Sequence, residues 1–166
     1  EVILGAVLVL TGNTAENLTT ARPFLMAGHL INSFLLLAFL TLTVWFAAGG
    51  RSFDFKADAK VLFLLGVAVL GIFFVGVSGS LAALSNMLFP SASIAEGIEK
   101  DFSAASHILL RLRLSHPILS IMVSVFLVFL AGWLKARAKD DFWTTRFANW
   151  LTILIIAQVV FGALTL

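Results

Sequence analysis

The sequence contains no cysteine and few charged residues. Without thiols the chain can form neither disulfides, nor zinc–thiolate sites, nor cysteine-bound iron–sulfur clusters. Charged residues make up 12% of the 166 positions, whereas soluble domains carry about 25%. The net charge is only +2 and there is no basic tract, so nothing favours nucleic acid as a partner. Glu1 leads directly into an apolar run without the basic segment and cleavage site of a secretory signal.

Apolar residues, in contrast, are abundant. They make up 60% of the chain, and the mean hydropathy is +1.05. A soluble domain of this size could not bury so much apolar surface, so we expect the lipid bilayer to be its solvent. Backbone groups in lipid must be hydrogen-bonded internally, and long apolar runs are therefore expected to be helices. The composition predicts an all-α integral membrane protein.

Four apolar runs reach the length of about 20 residues that a membrane span requires. They cover residues 24–48, 60–84, 115–136 and 147–166. A fifth run, residues 2–11, is shorter, and we interpret it as part of a helix whose beginning is missing. The sequence thus predicts a bundle of about five transmembrane helices.

Basic residues in the connecting segments predict the orientation of these helices. Segments 49–59 and 135–146, with the residue at the border of the first, hold seven basic residues, and the opposite side holds four. The positive-inside rule places the more basic side in the cytoplasm. Residues 49–59 are therefore predicted to be a cytoplasmic loop and residues 85–112 an external loop, in a multi-pass protein of the bacterial inner membrane.

The external loop carries its own helix signals. Ser93 and Glu96 have the spacing of a capping box, which predicts a short amphipathic helix at the membrane interface. Ser103 is expected to cap a second helix that continues into the next span, and His107 is interpreted as a loop or interfacial residue. Pro117 predicts that a helix begins or kinks near this position.

Two histidines lie near the outer ends of different spans. His29 follows Gly28 and His116 follows Ser115. Ionisable groups inside spans are costly and are usually functional, and helix bundles commonly hold haem iron with histidine. We therefore predict that His29 and His116 ligate haem iron. The alternative is that each is an interfacial histidine bonded to a carbonyl or a lipid headgroup.

Arginines lie close to both histidines in the sequence. Arg113 precedes His116 by three residues and Arg22 precedes His29 by seven, which places each pair on nearly the same helical face. Because arginine binds carboxylates well, Arg113 is predicted to contact a haem propionate. The alternative is that the arginines extend to lipid phosphates, and we favour that interpretation for Arg22 and Arg111.

The second span is interrupted by four glycines. They are Gly66, Gly71, Gly76 and Gly79. Small residues allow helices to pack closely or a flat cofactor to approach, and close packing is the preferred interpretation here.

The two ends of the chain resemble each other. Residues 1–9 and 158–166 share Val, Gly and Ala at matching places, and most of their other residues are apolar. This similarity predicts that the chain is the middle of a longer protein built from two homologous halves.

Two stretches resemble bacterial haem A synthases. One is Gly76-Val-Ser-Gly-Ser-Leu-Ala-Ala-Leu-Ser-Asn-Met-Leu-Phe-Pro-Ser, and the other is Asp101-Phe-Ser-Ala-Ala-Ser-His-Ile-Leu-Leu-Arg-Leu-Arg-Leu-Ser-His-Pro. The resemblance implies eight transmembrane helices in two similar four-helix halves, each of which presents a pair of histidines to haem. One half would bind haem b, and the other would bind haem O and oxidise one of its methyl groups to give haem A.

The resemblance also implies where this chain belongs in that arrangement. Residues 1–48 would end the amino-terminal half, and residues 60–166 would form most of the carboxy-terminal half. His29 would be the second histidine of the first half, and His116 the first histidine of the second. The family's acidic residue and histidine on the second helix, and the histidine of the last helix, have no counterpart here, so no catalytic residue is assigned. Haem O synthase and terminal oxidase assembly are the partners implied.

Two other functions remain compatible with the residues. One is a non-catalytic haem-binding subunit of an electron-transfer complex, and the other is a structural membrane subunit without a cofactor. An acidic residue one turn from a histidine in the upstream helix would favour the enzyme. A lack of haem absorbance would favour the structural subunit.

Overall fold

The computed structural model describes residues 2–13, 21–50, 58–93, 95–97, 99, 108–138 and 140–164. These residues form five helices, which are α1 (Val2–Leu10), α2 (Ala21–Ala47), α3 (Ala59–Leu88), α4 (Ile108–Arg137) and α5 (Phe142–Leu164). The prediction of an all-helical bundle is confirmed. The stretch from Ser103 through His107, where a helix was expected to begin, lies outside the described residues.

Four of the five helices can cross a membrane by length and hydropathy. The candidate spans are Ala21–Ala47, Ala59–Leu88, Arg113–Arg137 and Phe142–Leu164. Their surfaces are largely apolar, since Phe39, Phe129 and Phe161 are 65%, 74% and 64% exposed. Exposing so much apolar surface is unfavourable in water but not in lipid. The chain is a multi-pass integral membrane protein, as predicted.

The helices pack in chain order, each against its neighbours in sequence. The contact of α3 with α4 is the most extensive, followed by those of α4 with α5, α2 with α3, and α1 with α2. An apolar core formed by Ala68, Leu127 and Leu130 lies between α3 and α4, and Ile155 of α5 packs against it. Ser78 of α3 and His116 of α4 meet across the same interface, towards the end of α3 where the predicted external loop begins.

Glycines permit the close approach of α3 to both of its neighbours. A Cβ atom at Gly71 would lie 3.2 Å from Cγ1 of Val123 in α4. A Cβ atom at Gly76 would lie 2.6 Å from Cε2 of Phe34 in α2. These two glycines confirm the packing interpretation, whereas nothing lies within 4 Å of a Cβ atom at Gly66.

Residues bordering the two predicted cytoplasmic segments meet at one end of the bundle. Asp58 caps α3 by accepting a hydrogen bond of 2.8 Å from the N–H of Lys60. Its other carboxylate oxygen lies 2.6 Å from the guanidinium of Arg137 at the end of α4. The end of α2 reaches α5, where the rings of Trp45 and Trp143 are 5.3 Å apart and nearly perpendicular. Asp58 and Arg137 thus lie on the same side of the bundle, as the alternation of the spans requires.

Pro117 does not begin a helix. It lies inside α4, nine residues after Ile108, so of the two predicted possibilities the helix start is excluded, and the kink stays a prediction. Proline lacks the N–H that would bond to the carbonyl four residues earlier, which is that of Arg113. Packing against α3 stabilises α4 through this position. Helix propensity, which is a local property of the sequence, does not contain this contribution from packing.

Candidate functional site

The side chain of His116 lies at the α3–α4 interface, three residues into the candidate span of α4. Its Nδ1 atom is 3.1 Å from Oγ of Ser78 in α3. Oγ of Ser120, one turn further along α4, is 3.4 Å from the same nitrogen. Two serine hydroxyls from different helices therefore converge on one nitrogen of the ring.

Ser78 is a buried partner. Its exposure is 8%, and its hydroxyl also donates a hydrogen bond of 3.0 Å to the carbonyl of Val75 in the preceding turn. The hydroxyl is thus held from both sides, by its own helix and by His116.

The residue after Ser78 gives the ring its space. A Cβ atom at Gly79 would lie 3.0 Å from Cε1 of His116, closer than nearly all real contacts of this kind. Of the four glycines in this span, Gly79 is the one whose missing side chain makes room for a histidine. The glycine pattern was visible in the sequence, but its pairing with His116 was not.

His116 fits the requirements of a haem-iron ligand. Ligating histidines are normally oriented by a hydrogen bond at the ring nitrogen that does not bind the metal, and here Nδ1 makes that bond. Within the described part of the chain, both hydrogen bonds of His116 end on Nδ1, and none ends on Nε2. The same residues show no cluster of three His, Cys, Asp or Glu side chains that could hold a metal ion by themselves. Haem iron takes only its axial ligands from the protein.

His29 lies at a different interface. It belongs to α2 and is half-buried, and a Cβ atom at Gly5 in α1 would lie 3.6 Å from its Cε1 atom, an ordinary contact distance. The carbonyl of His29 accepts a hydrogen bond of 2.9 Å from Ser33. The structure does not bring His29 and His116 together, since α2 and α4 do not pack against each other over their described residues.

Arg113 holds the external loop against the bundle. Its guanidinium donates a hydrogen bond of 2.8 Å to Oδ1 of Asn86 at the end of α3, and one of 3.2 Å to the carbonyl of Gly97. Sequence reasoning assigned Arg113 to a haem propionate and missed both partners, which lie 27 and 16 residues away. Arg113 is also within 3.4 Å of a Cβ atom placed at Gly97, which is buried.

The capping box predicted in this loop is present in a modified form. The N–H of Glu96 donates to Oγ of Ser93 at 3.2 Å, and the N–H of Ala92 donates to Oε2 of Glu96 at 2.8 Å. The glutamate thus returns to the residue before the cap rather than to the cap itself. Residues 95–97 are helical, and Gly97 bonds back to the carbonyl of Ser93 at 3.0 Å. The turn is therefore held in place at both of its ends.

Arg22 is buried, which corrects the expectation that it extends to lipid phosphates. Its exposure is 3%, so its charge is enclosed by protein. A long cationic side chain reaches headgroups only when neighbouring segments leave its path open. The side chain of Arg111 lies outside the described residues, as does His107.

Comparisons with known proteins give one family and two curated relatives. The family model described as "cytochrome oxidase assembly protein", COX15-CtaA, matches residues 1–166. Two curated relatives, from two strains of Thermus thermophilus, carry the name protoheme IX farnesyltransferase. Each is 38% identical over 162 residues, which is 98% of this chain and 26% of the relative.

The chain thus spans about a quarter of the length of the curated relatives it matches. No solved structure matches it. Because the family model extends over every residue, the chain belongs to the COX15-CtaA family of cytochrome oxidase assembly proteins.

Proposed function

We propose that the chain is part of a haem A synthase-like membrane oxidoreductase that converts haem O to haem A and binds haem b. His116 is the proposed ligand to haem iron in one half of the protein. The observation that supports this assignment is the anchoring of Nδ1 by Ser78, with Nε2 not hydrogen-bonded within the described residues. Family membership independently supports a role in making the haem of cytochrome oxidase.

His29 is proposed to ligate a second haem. It lies between α1 and α2, whereas His116 lies between α3 and α4. Two separated interfaces support two haem sites, one in each half, better than one site shared by both histidines. Residues 1–48 are accordingly proposed to end the amino-terminal half, and residues 60–166 to form most of the carboxy-terminal half.

The chemistry that bound haem supplies is iron-centred redox chemistry at or near the substrate's methyl group. Conversion of a methyl group to a formyl group oxidises the carbon and adds an oxygen atom, so the reaction needs an electron acceptor and an oxygen source besides the residues of this chain. The residues of this chain are proposed to hold and orient the haem. Ser78 and Ser120 hold the imidazole of His116, and Gly79 leaves room for it.

Arg113 is proposed to orient a haem propionate at the outer end of this site. Its guanidinium is already fixed by Asn86 and by the carbonyl of Gly97. A guanidinium offers five N–H donors in one plane, so a fixed guanidinium can present a donor edge to a carboxylate with little loss of side-chain freedom. Arg113 would then link the external loop to the haem.

The name of the Thermus relatives favours a second candidate, the transfer of a farnesyl group to haem. That name belongs to proteins of which this chain covers 26%. The two reactions have different products, so one assay separates them.

The test uses the protein at the full length that its gene encodes, expressed in a bacterial host that makes haem O but no haem A. Pigments are extracted and separated by chromatography, and the purified protein is examined by reduced-minus-oxidised visible spectroscopy. We expect haem A to accumulate, and a haem absorbance band to weaken in His116→Ala. Farnesylation of haem B by the purified protein, without formation of haem A, would support the second candidate. A wild-type protein without haem would overturn the first candidate, and a protein that also fails to farnesylate haem B would overturn the second.

A further inference from the structure

A short chain of hydrogen bonds crosses the α3–α4 interface at His116. It runs from Nδ1 of His116 to Oγ of Ser78 at 3.1 Å, and from that hydroxyl to the carbonyl oxygen of Val75 at 3.0 Å. Ser78 is buried, with an exposure of 8%, so water has little access to compete for its hydroxyl. The positions of the hydrogens follow from counting donors.

A carbonyl oxygen can only accept, so the single hydroxyl hydrogen of Ser78 is directed to Val75. The oxygen of Ser78 can then act only as a hydrogen-bond acceptor towards His116. The contact of 3.1 Å is a hydrogen bond only if the hydrogen lies on Nδ1 of the histidine. In a neutral imidazole, a hydrogen on Nδ1 leaves Nε2 with a lone pair.

From this arrangement we infer that Ser78 is a positioning residue that fixes His116 in its Nδ1–H tautomer and so keeps Nε2 available to ligate iron. The inference rests on the proposed function for its iron, but the tautomer itself is a property of this chain. It gives Ser78 a role that neither the description of its family nor the names of its relatives contain.

The opposite arrangement satisfies fewer groups. If Ser78 donated to Nδ1, its hydrogen would leave the carbonyl of Val75, and the ring hydrogen would have to lie on Nε2. That nitrogen has no hydrogen-bond acceptor within the described residues. Ser78 is the buried group, and buried polar groups normally make the hydrogen bonds open to them, so the arrangement in which its hydroxyl makes both bonds is preferred.

Two neighbours support Ser78 in this role. Ser120 approaches the same nitrogen at the longer distance of 3.4 Å, which makes it a second and weaker acceptor. A Cβ atom at Gly79 would lie 3.0–3.6 Å from Cε1, Nδ1 and Nε2 of the ring, so the ring occupies the space beside this glycine. The ring is therefore bounded on the α3 side by adjacent residues 78 and 79.

The consequence for a bound haem follows from how the hydrogen bond changes the imidazole. Donation from Nδ1–H to Ser78 makes the ring a stronger electron donor at Nε2, which favours the ferric state of the iron. Loss of an outer partner of a ligating histidine typically weakens metal binding about 10-fold to 100-fold. Because Ser78 is a single neutral acceptor, its loss should weaken haem binding by the lower value, about tenfold.

α3 contains a matched control for Ser78. Ser80 makes the same kind of bond, donating to the carbonyl of Val77 at 2.8 Å. It is partly buried on the same helix, and this hydrogen bond does not involve His116. Ser78→Ala and Ser80→Ala therefore each remove one hydroxyl and its hydrogen bond to a carbonyl of the preceding turn. Only Ser78→Ala also removes a contact with His116.

The first measurement reads the tautomer without haem. The full-length protein, labelled with nitrogen-15 in its histidines, is purified from cells starved of haem precursor, and the signals of His116 are assigned by comparison with His116→Gln. We expect a protonated Nδ1 and a non-protonated Nε2 in wild type and Ser80→Ala. In Ser78→Ala we expect a mixture of tautomers, and in Ser78→Thr a return to the wild-type pattern. A protonated Nε2 in the wild type, or a Ser78→Ala spectrum identical to wild type, would overturn the inference.

The second measurement titrates haem-replete protein. In Ser78→Ala we expect a higher midpoint potential and about tenfold weaker haem binding, with Ser80→Ala unchanged. Equal midpoint potentials for Ser78→Ala and Ser80→Ala would show that Ser78 has no influence on the haem iron. If the wild type binds no haem, or if His116→Gln keeps its haem band, the proposed function fails at His116, and the tautomer measurement still decides whether Ser78 fixes the ring.

Discussion

Gly79 of α3 lies against the imidazole ring of His116 in α4. A Cβ atom at position 79 would lie 3.0 Å from Cε1, 3.4 Å from Nδ1 and 3.6 Å from Nε2 of the ring. The ring of His116 thus occupies the space that a side chain at position 79 would need. Ser78 beside it holds the same ring by a hydrogen bond of 3.1 Å, so two consecutive residues of α3 determine where His116 stands.

Gly79→Ala should therefore displace the histidine. The added methyl group would stand 3.0 Å from Cε1 and 3.4 Å from Nδ1, so the ring has to shift by a few tenths of an ångström and its contact with Ser78 changes. We expect a weaker haem band and a changed tautomer signal for His116, with overpacking costing about 1–3 kcal/mol of stability. Visible spectroscopy and thermal unfolding in detergent measure the two effects.

Gly66→Ala is the matched control for that experiment. It makes the same substitution in the same helix, but nothing lies within 4 Å of the new Cβ atom. Because glycine in a helix interior is less favourable than alanine, this substitution should stabilise α3 by about 0.5–1 kcal/mol. A haem band that is equally weak in both variants would show that the effect of Gly79→Ala is not specific to His116.

Gly76→Ala should separate α2 from α3 without touching His116. Its Cβ atom would lie 2.6 Å from Cε2 of Phe34 and 3.3 Å from Cδ2 of Leu30. We expect a loss of about 1–3 kcal/mol, partly restored by Phe34→Leu in the same protein because a smaller side chain leaves room for the methyl group. Unfolding in detergent measures the change, and additive effects of the two substitutions would contradict the predicted contact.

The helices were predictable because lipid imposes a strong rule on the sequence. A segment such as 24–48 must satisfy its backbone internally, so an apolar run of sufficient length is enough to predict α2. The observed helix, Ala21–Ala47, begins three residues earlier. Helix ends depend on local caps such as Asp58, which a hydropathy pattern does not contain.

The surroundings of the candidate ligands were not predictable in the same way. Ser78 is 38 residues from His116 in the sequence, and the contact depends on the register of two packed helices. The sequence signal for Ser78 is a serine beside a glycine within an apolar run. The same pair of small residues is also expected where two helices merely pack closely. Arg22 shows the same limit, because the burial of its charge is set by neighbouring segments and not by its own helix.

Asp58 has two functions at the predicted cytoplasmic end that two substitutions can separate. Asp58→Asn keeps a side-chain acceptor for the N–H of Lys60 and removes the ion pair with Arg137. Because the side chains of Arg137 and Asp58 are 53% and 38% exposed, the pair should contribute only about 0–1 kcal/mol. Asp58→Ala removes the cap as well and should cost about 1 kcal/mol more.

Salt provides the control for the Asp58 variants. The ion pair is screened at high ionic strength, whereas the cap hydrogen bond of 2.8 Å to Lys60 is much less so. Unfolding of wild type and Asp58→Asn should therefore converge as salt is added, and Asp58→Ala should remain less stable than both. If Asp58→Asn were as unstable as Asp58→Ala, the cap hydrogen bond would contribute nothing beyond the ion pair.

Arg113 and Asn86 should act as a coupled pair that holds the external loop. The guanidinium donates to Oδ1 of Asn86 at 2.8 Å and to the carbonyl of Gly97 at 3.2 Å. In a double-mutant cycle of Arg113→Gln and Asn86→Ala, we expect a coupling free energy of about 1 kcal/mol. The single variant Arg113→Gln should also expose the segment around Gly97 to protease, because it loses both bonds, whereas Asn86→Ala should leave that segment protected. A coupling near zero, or equal proteolysis of the two single variants, would mean that Arg113 holds the loop through other contacts.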